Sequence, residues 1–135
     1  MLNVFLELAT EAGSIIRTLF EKGDYKTEIK EDNSPVTTAD YKANELIVKG
    51  LKRNFPKIPI ISEESKHENV YGDEFFLVDP LDGTREFLKG SRHFSVNIAF
   101  EIPIKFDSNG LFKKLMETFI GTDFSTNLTD PITAT

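Results

Sequence analysis

The sequence contains no cysteine, no tryptophan and only two histidines. Without cysteine the chain forms no disulfide, thiolate metal site or cysteine nucleophile, and this usage fits a reducing compartment. Two histidines without cysteine also offer no familiar metal-ligand spacing, so we interpret His67 and His93 as surface or packing residues. We therefore expect a cytoplasmic protein, with peripheral membrane association left open.

Long apolar runs and basic clusters are absent as well. No run approaches the roughly 18 apolar residues that cross a bilayer, and no basic region precedes an apolar stretch at the N-terminus. The net charge of −6 argues against a nucleic acid polymer as a partner and disfavours a general polyanion-binding module. With 39% hydrophobic and 28% charged residues, the 135-residue chain is expected to form one folded domain.

Apolar periodicity predicts a mixed α+β fold. Residues at three- and four-residue spacing indicate one amphipathic helix from Leu2 to Phe20, ending near Gly23. A second helix is predicted from Ala39 to Phe55, with Thr38 as its N-cap. Short apolar or alternating segments predict strands, namely Tyr25 to Ile29, Ile58 to Ile61, Phe75 to Val78 and Phe94 to Phe100. Further predictions are a polar loop to Asp73, a turn at 107–110 and an amphipathic stretch at 111–120.

The most informative stretch is Asp79-Pro80-Leu81-Asp82-Gly83-Thr84, directly after the predicted central strand. Its two carboxylates are separated by a rigid Pro-Leu step, which lets the Leu81 carbonyl supply a third oxygen. Gly83 permits a close turn, and the backbone amides of Gly83 and Thr84 could receive an anion. These residues predict a divalent-metal and phosphate site.

Further carboxylates fall where an αβ fold could bring them to the same place. Asp40 begins the second predicted helix, and Glu63 and Glu64 follow a predicted strand. Carboxylate and carbonyl oxygens are ligands for Mg²⁺ or Mn²⁺, and a cation relieves the mutual repulsion of the carboxylates. Taken singly, each motif is an ordinary turn, helix cap or solvated surface pair. Their joint occurrence favours a site.

Three blocks of sequence resemble the inositol monophosphatase superfamily of Mg²⁺-dependent phosphatases, in its order and spacing. They are 34–40 (SPVTTAD), 60–64 (IISEE) and 78–87 (VDPLDGTREF). Leu81, the residues after Thr84 and the strand 94–99 (FSVNIA) resemble the bacterial 3'(2'),5'-bisphosphate nucleotidase branch. The resemblance runs to about Phe100 and implies an αβαβ layered, sugar-phosphatase-like fold.

The resemblance implies a role for each matching residue. Metal ligands would be Glu63, Asp79, the Leu81 carbonyl and Asp82, with Glu64 behind them, holding two or more Mg²⁺ ions. Asp40 and Thr84 would orient and deprotonate the attacking water, with Glu63 also in the catalytic set. The groups that contact a small phosphorylated substrate would be Glu63, Leu81, Asp82, Gly83 and Thr84. The implied reaction is hydrolysis of adenosine 3',5'-bisphosphate to AMP and phosphate.

The chain departs from the family pattern after residue 100. Family members are longer, and their second half carries a Trp-Asp motif, whereas this sequence has no tryptophan. We therefore expect residues 1–100 to form the N-terminal, metal-binding half of such a domain and residues 101–135 to be a divergent tail of a shortened product. Two alternatives stay open: an inositol monophosphatase, and an inactive remnant that binds a divalent metal. The oligomeric state is not predicted.

Three basic residues lie just beyond the acidic motif: Arg85, Lys89 and Arg92. They could approach a second phosphate group of a bisphosphate substrate. Solvated surface charges are the commoner outcome for such residues. Both readings stay open at the level of sequence.

Overall fold

The computed structural model describes residues 1–65 and 74–101, which form helices above a small sheet and a separate hairpin. The helices are α1 (Leu2–Lys22), α2 (Thr38–Asn54) and α3 (Thr84–Leu88). The strands are β1 (Thr27–Ile29), β2 (Pro35–Thr37), β3 (Ile60–Ser62), β4 (Phe75–Asp82) and β5 (Ser95–Glu101). The predicted mixed α+β class is confirmed.

The sheet has the order β3-β4-β5, so β4 is the central strand, as predicted. β3 runs parallel to β4, and β5 runs antiparallel to it. β1 and β2 pair separately as an antiparallel hairpin. Because β3 and β4 are parallel, their carboxyl ends lie side by side, which is where side chains from two strands meet most readily.

The hydrophobic core lies between one face of the sheet and the helices α1 and α2. The spacing that predicted the helices corresponds to their buried faces, formed by Leu8, Ala12, Ile16 and Leu19 of α1 and by Ala43, Ile47 and Leu51 of α2. On the sheet side, Phe76 and Val78 are buried, and the alternating residues of the β5 segment pack against them: Phe94, Val96, Ile98 and Phe100. The period-two prediction for this strand is confirmed.

The N-cap of α2 is Thr37, so the prediction of Thr38 was wrong. The Thr37 hydroxyl accepts a hydrogen bond from the Ala39 N–H at 3.1 Å, and the Asp40 carboxylate accepts one from the Thr37 N–H at 2.7 Å. Asp40 lies three residues after Thr37, which is the spacing of a capping box. Thr38 instead accepts a hydrogen bond from the Lys26 N–H at 2.9 Å and ties the helix start to the hairpin.

Other boundaries differ from the sequence predictions by a few residues. β1 begins at Thr27 rather than Tyr25, β3 begins at Ile60 rather than Ile58, and β4 continues to Asp82. α1 ends as predicted, because Gly23 adopts a left-handed conformation with φ 64°. The predictions for residues 66–73 and for residues beyond 101 lie outside the described residues. Within residues 1–65 and 74–101, no helix is long and apolar enough to cross a membrane.

Candidate metal and phosphate site

The adjacent ends of β3 and β4 bring Glu63 and Asp79 together. Ser62 of β3 is in register with Val78 of β4, and each is followed by one of the two acids. The Glu63 N–H donates a hydrogen bond to the Val78 carbonyl at 3.1 Å. The sequence expectation that these two residues converge therefore agrees with the geometry.

Asp79 is the least satisfied polar group of the site. Its residue is only 7% exposed, and its Oδ1 atom is buried without a hydrogen-bond partner. Burial, the charge of Glu63, a hydrogen bond with the Glu63 side chain and the charge of Asp82 together raise the pKa of Asp79 to about 8. An unpaired buried carboxylate oxygen is costly, and a cation next to it would remove most of that cost.

Asp40 and Thr84 are hydrogen bonded although 44 positions separate them in the chain. The Thr84 hydroxyl donates to Asp40 Oδ1 at 2.8 Å and lies 3.3 Å from the Leu81 carbonyl oxygen. The other carboxylate oxygen of Asp40 accepts hydrogen bonds from the N–H and the hydroxyl of Thr37. Asp40 is 1% exposed, and the hydrogen bonds of its capping box hold it behind Thr84.

The predicted site residues line one open cleft of about 300 Å³. Its lining includes Glu63, Asp79, Leu81, Asp82, Gly83 and Thr84, together with Ser34, Pro35, Arg85 and Glu86. Asp40 lies behind this surface. Asp82 is exposed, and the Asn97 side-chain amide donates to its Oδ2 at 3.4 Å.

The acidic side chains by themselves do not form a complete set of metal ligands. Among the described residues, no three His, Cys, Asp or Glu side chains stand close enough together to hold a metal ion. Backbone carbonyl oxygens and substrate oxygens are further ligands in such sites. The metal-ligand roles of Glu63, Asp79, Leu81 and Asp82 therefore stay predictions.

Of the three basic residues Arg85, Lys89 and Arg92, only Arg85 lines the cleft, and it is exposed. Lys89 and Arg92 are not part of the cleft lining. His93 is exposed, and its Nδ1 lies 2.9 Å from the Ser91 hydroxyl oxygen, which agrees with a surface role. His67 lies outside the described residues.

Lys30 is a site residue that the sequence reasoning missed. Its Nζ atom lies 2.6 Å from Glu64 Oε1 and 3.7 Å from Glu63 Oε1. Burial lowers the pKa of Lys30, but the hydrogen bond and charge of Glu64 outweigh this and raise it. Burial raises the pKa of Glu64, and Lys30 offsets only part of that effect. We assign both groups as charged because their contact is so short. No periodicity or motif marks a lysine in a hairpin as the partner of a glutamate 34 positions away.

Gly83 is required at its position for two reasons. Its φ of 97° is rarely adopted by other residues, and a Cβ atom there would lie 2.7 Å from the His93 carbonyl oxygen. We expect Gly83→Ala to lower the free energy of unfolding by about 3 kcal/mol, because strain and a backbone clash add. Gly90→Ala is the matched control, since Gly90 has φ 76° but open space around it. Equal losses of stability in chemical denaturation would contradict the clash.

The fold and the cleft define a mixed αβ protein with an acidic site at the carboxyl ends of two parallel strands. The sequence model of the "Inositol monophosphatase family" matches residues 1–103. The chain belongs to the inositol monophosphatase family, and the resemblance noted in the sequence is confirmed.

Individual relatives carry two kinds of name. The chain is 42% identical over 111 residues to the 3'(2'),5'-bisphosphate nucleotidase CysQ of Buchnera aphidicola, covering 77% of this chain and 42% of that protein. Among solved structures, it is similar to the extragenic suppressor protein suhB from Bartonella henselae, with TM-score 0.70, 33% identity and coverage of 75% and 40%. The CysQ of Bacteroides thetaiotaomicron gives TM-score 0.57 at 40% identity, with coverage of 74% and 38%. The chain thus spans about two fifths of the length of these relatives, consistent with the predicted N-terminal half of the fold.

Proposed function

We propose that the chain carries the metal and phosphate site of a Mg²⁺-dependent phosphomonoesterase that hydrolyses 3'(2'),5'-bisphosphate nucleotides. The observation that carries this proposal is the unpaired Oδ1 of Asp79, buried at a cleft that Thr84 also lines and behind which Asp40 lies hydrogen bonded to Thr84. A buried carboxylate oxygen without a hydrogen-bond partner is stabilised by a cation. A hydroxyl next to it, with a carboxylate behind, supports proton transfer from water.

The donor set suits a hard divalent cation. Glu63, Asp79 and Asp82 would supply carboxylate oxygens and Leu81 its carbonyl oxygen, which are the ligand types of Mg²⁺ and also of Mn²⁺. When bound, such a cation polarises phosphate oxygens and lowers the pKa of water. The number of ions is part of the proposal and rests on the family resemblance alone.

Thr84 and Asp40 would handle the proton of the attacking water. Thr84 already donates its own proton to Asp40 Oδ1 at 2.8 Å, so its oxygen keeps lone pairs for a water in the cleft. As the water oxygen bonds to phosphorus, its proton passes to Thr84 and the Thr84 proton passes to Asp40. The bond from phosphorus to the ester oxygen breaks, and that oxygen takes a proton from solvent. The backbone amides of Gly83 and Thr84 would contact the phosphate.

The substrate class rests on the names of relatives. The 42%-identical CysQ of Buchnera aphidicola is called a 3'(2'),5'-bisphosphate nucleotidase, and Arg85 at the cleft offers a cation for a second phosphate. An inositol monophosphate is the alternative substrate, and cation binding without turnover is the third outcome.

The proposal also includes a cytoplasmic location and the lack of a nucleic acid partner. The first rests on the missing cysteine and the second on the net charge of −6.

Phosphate release by the full chain tests this proposal. With Mg²⁺ and adenosine 3',5'-bisphosphate, we expect release that EDTA abolishes and that exceeds release from inositol 1-phosphate. Thr84→Val should lower kcat by at least about 100-fold, because it removes the proton carrier while keeping the side-chain shape. Thr84→Ser is the matched control and should keep most of the rate. Equal rates for the Val and Ser variants would contradict the role of the hydroxyl.

Inertness towards both substrates, with Mg²⁺ still bound, would reject the proposed activity and support the binding-only alternative.

A further inference from the structure

The side chain of Asn44 joins helix α2 to the turn that carries Glu63. Its Oδ1 accepts a hydrogen bond from the Ser62 hydroxyl at 2.6 Å, and its Nδ2 donates one to the Ser65 hydroxyl at 2.9 Å. Ser62 and Ser65 are the two ends of the turn, and the Ser65 N–H donates to the Ser62 carbonyl at 3.3 Å. One amide group therefore holds both ends of a four-residue segment.

The same turn is tied to the central strand on its other side. The Glu63 N–H donates to the Val78 carbonyl, one residue before Asp79, at 3.1 Å. The Glu64 N–H lies 3.4 Å from the Ser62 hydroxyl oxygen, the oxygen that also donates to Asn44. The turn that carries Glu63 is thus held on one side by a backbone hydrogen bond to β4 and on the other side by side-chain hydrogen bonds to α2.

Helix α2 contacts both chain segments that form the cleft, namely the end of β3 and the residues after β4. Asn44 lies four residues after Asp40 and so on the same face of the helix, about one turn further along. From this face Asp40 contacts Thr84 after β4, and Asn44 contacts Ser62 at the end of β3. The spacing of two side chains on a rigid helix therefore sets how far Glu63 lies from Thr84.

We propose that Asn44 is a positioning residue that holds Glu63 opposite Asp79 and so sets the affinity of the cleft for a divalent cation. This inference rests on the cation site of the proposed function. In the described part of the chain, the hydrogen bonds of the Asn44 side chain go to Ser62 and Ser65 rather than to the carboxylates of the proposed cation site. Asn44 acts through Ser62 and Ser65.

The test is Mn²⁺ binding to the full chain, followed by electron paramagnetic resonance of the free ion. Asn44→Ala should raise the Mn²⁺ dissociation constant about tenfold, because two hydrogen bonds that hold the turn are lost. Asn54→Ala is the matched control, since the Asn54 amide donates to the Gly50 carbonyl at 2.8 Å at the far end of the same helix. This control removes a helix hydrogen bond of similar length and should leave the dissociation constant unchanged. Equal weakening in both variants, or none in Asn44→Ala, would overturn the proposal.

Amide hydrogen exchange separates this inference from the proposed function. In the cation-free protein, Asn44→Ala should speed exchange of the Glu63 and Glu64 amides about tenfold, whereas Asn54→Ala should not. Ser62→Ala should also speed this exchange, and the double variant should speed it by less than the product of the two single effects, because both single variants remove the hydrogen bond between Ser62 and Asn44. If the wild-type chain binds no Mn²⁺ while exchange responds as expected, the proposed function fails and the positioning contact stands. Unchanged Glu63 exchange would reject the positioning role itself.

Discussion

Replacing Asp79 by asparagine is expected to abolish divalent cation binding and, at the same time, to stabilise the cation-free protein. The two effects have one cause, because Asp79 is a buried carboxylate with an unpaired Oδ1 next to Glu63 and near Asp82. Asparagine keeps the shape and removes the charge. Changes behind metal ligands cost about 10- to 100-fold in affinity, so loss of Asp79, a proposed ligand, should cost at least about 100-fold.

The stability effect depends on pH in a defined direction. Burial and the charge of Glu63 raise the pKa of Asp79 from its ordinary value of 3.8 to about 8. Between these values the folded chain holds a proton that the unfolded chain has released, so the stability of the cation-free protein falls as pH rises from about 4 to 8. Asp79→Asn should remove this slope and stabilise the cation-free protein by about 2–4 kcal/mol at pH 8.

Urea unfolding in EDTA across this pH range, followed by circular dichroism, measures the slope. The same titration with Mg²⁺ should stabilise the wild-type chain and not the variant, because only a bound ligand shifts the unfolding equilibrium. Asp24→Asn serves as the matched control, since Asp24 is exposed after α1, away from the cleft. A wild-type pH slope retained in Asp79→Asn, or unchanged stabilisation by Mg²⁺, would contradict the assignment of Asp79.

Replacing Phe76 by alanine is expected to lower the free energy of unfolding by about 3–5 kcal/mol. Phe76 is fully buried on the central strand, and its ring centroid lies 5.6 Å from that of Phe5, 5.3 Å from that of Phe55 and 5.6 Å from that of Phe100. It therefore joins α1, the end of α2 and β5 in one aromatic cluster. Truncation of a buried Phe to Ala costs about 3–5 kcal/mol, against a total stability of about 5–15 kcal/mol for a domain.

Helical circular dichroism during urea unfolding measures this loss. Tyr41→Ala is the comparison variant, because Tyr41 is a 43% exposed aromatic on α2, and its truncation should change stability by less than about 0.5 kcal/mol. Phe76→Leu should fall between the two, since it keeps much of the buried volume. A midpoint for Phe76→Ala within error of that for Tyr41→Ala would contradict the central place of this ring.

Periodicity predicted the long elements because each buries only one face. α1 and α2 bury one face each, and Val96, Ile98 and Phe100 of β5 pack against the core, so the sequence itself shows the spacing of these residues. The N-cap of α2 was missed because Thr37 and Thr38 are chemically alike, and only their partners distinguish them. β4 extends to Asp82 although proline and aspartate are poor strand formers, because Asp79 and Asp82 still pair with Asn97 and Ser95 in the β5 region across an irregular register.

The sequence by itself determined the family and the acidic, glycine and threonine positions that form the cleft. Motifs of a few residues suffice for this, because the residue types themselves indicate the turn geometry and the metal ligands. Only the tertiary structure decided how those positions are supported. It placed Lys30 against Glu64, Asn44 against Ser62, and Asp40 behind Thr84, and it left Oδ1 of Asp79 unpaired. These contacts join residues 18 to 44 positions apart. Such contacts depend on how the helices pack on the sheet, and no local pattern encodes that packing.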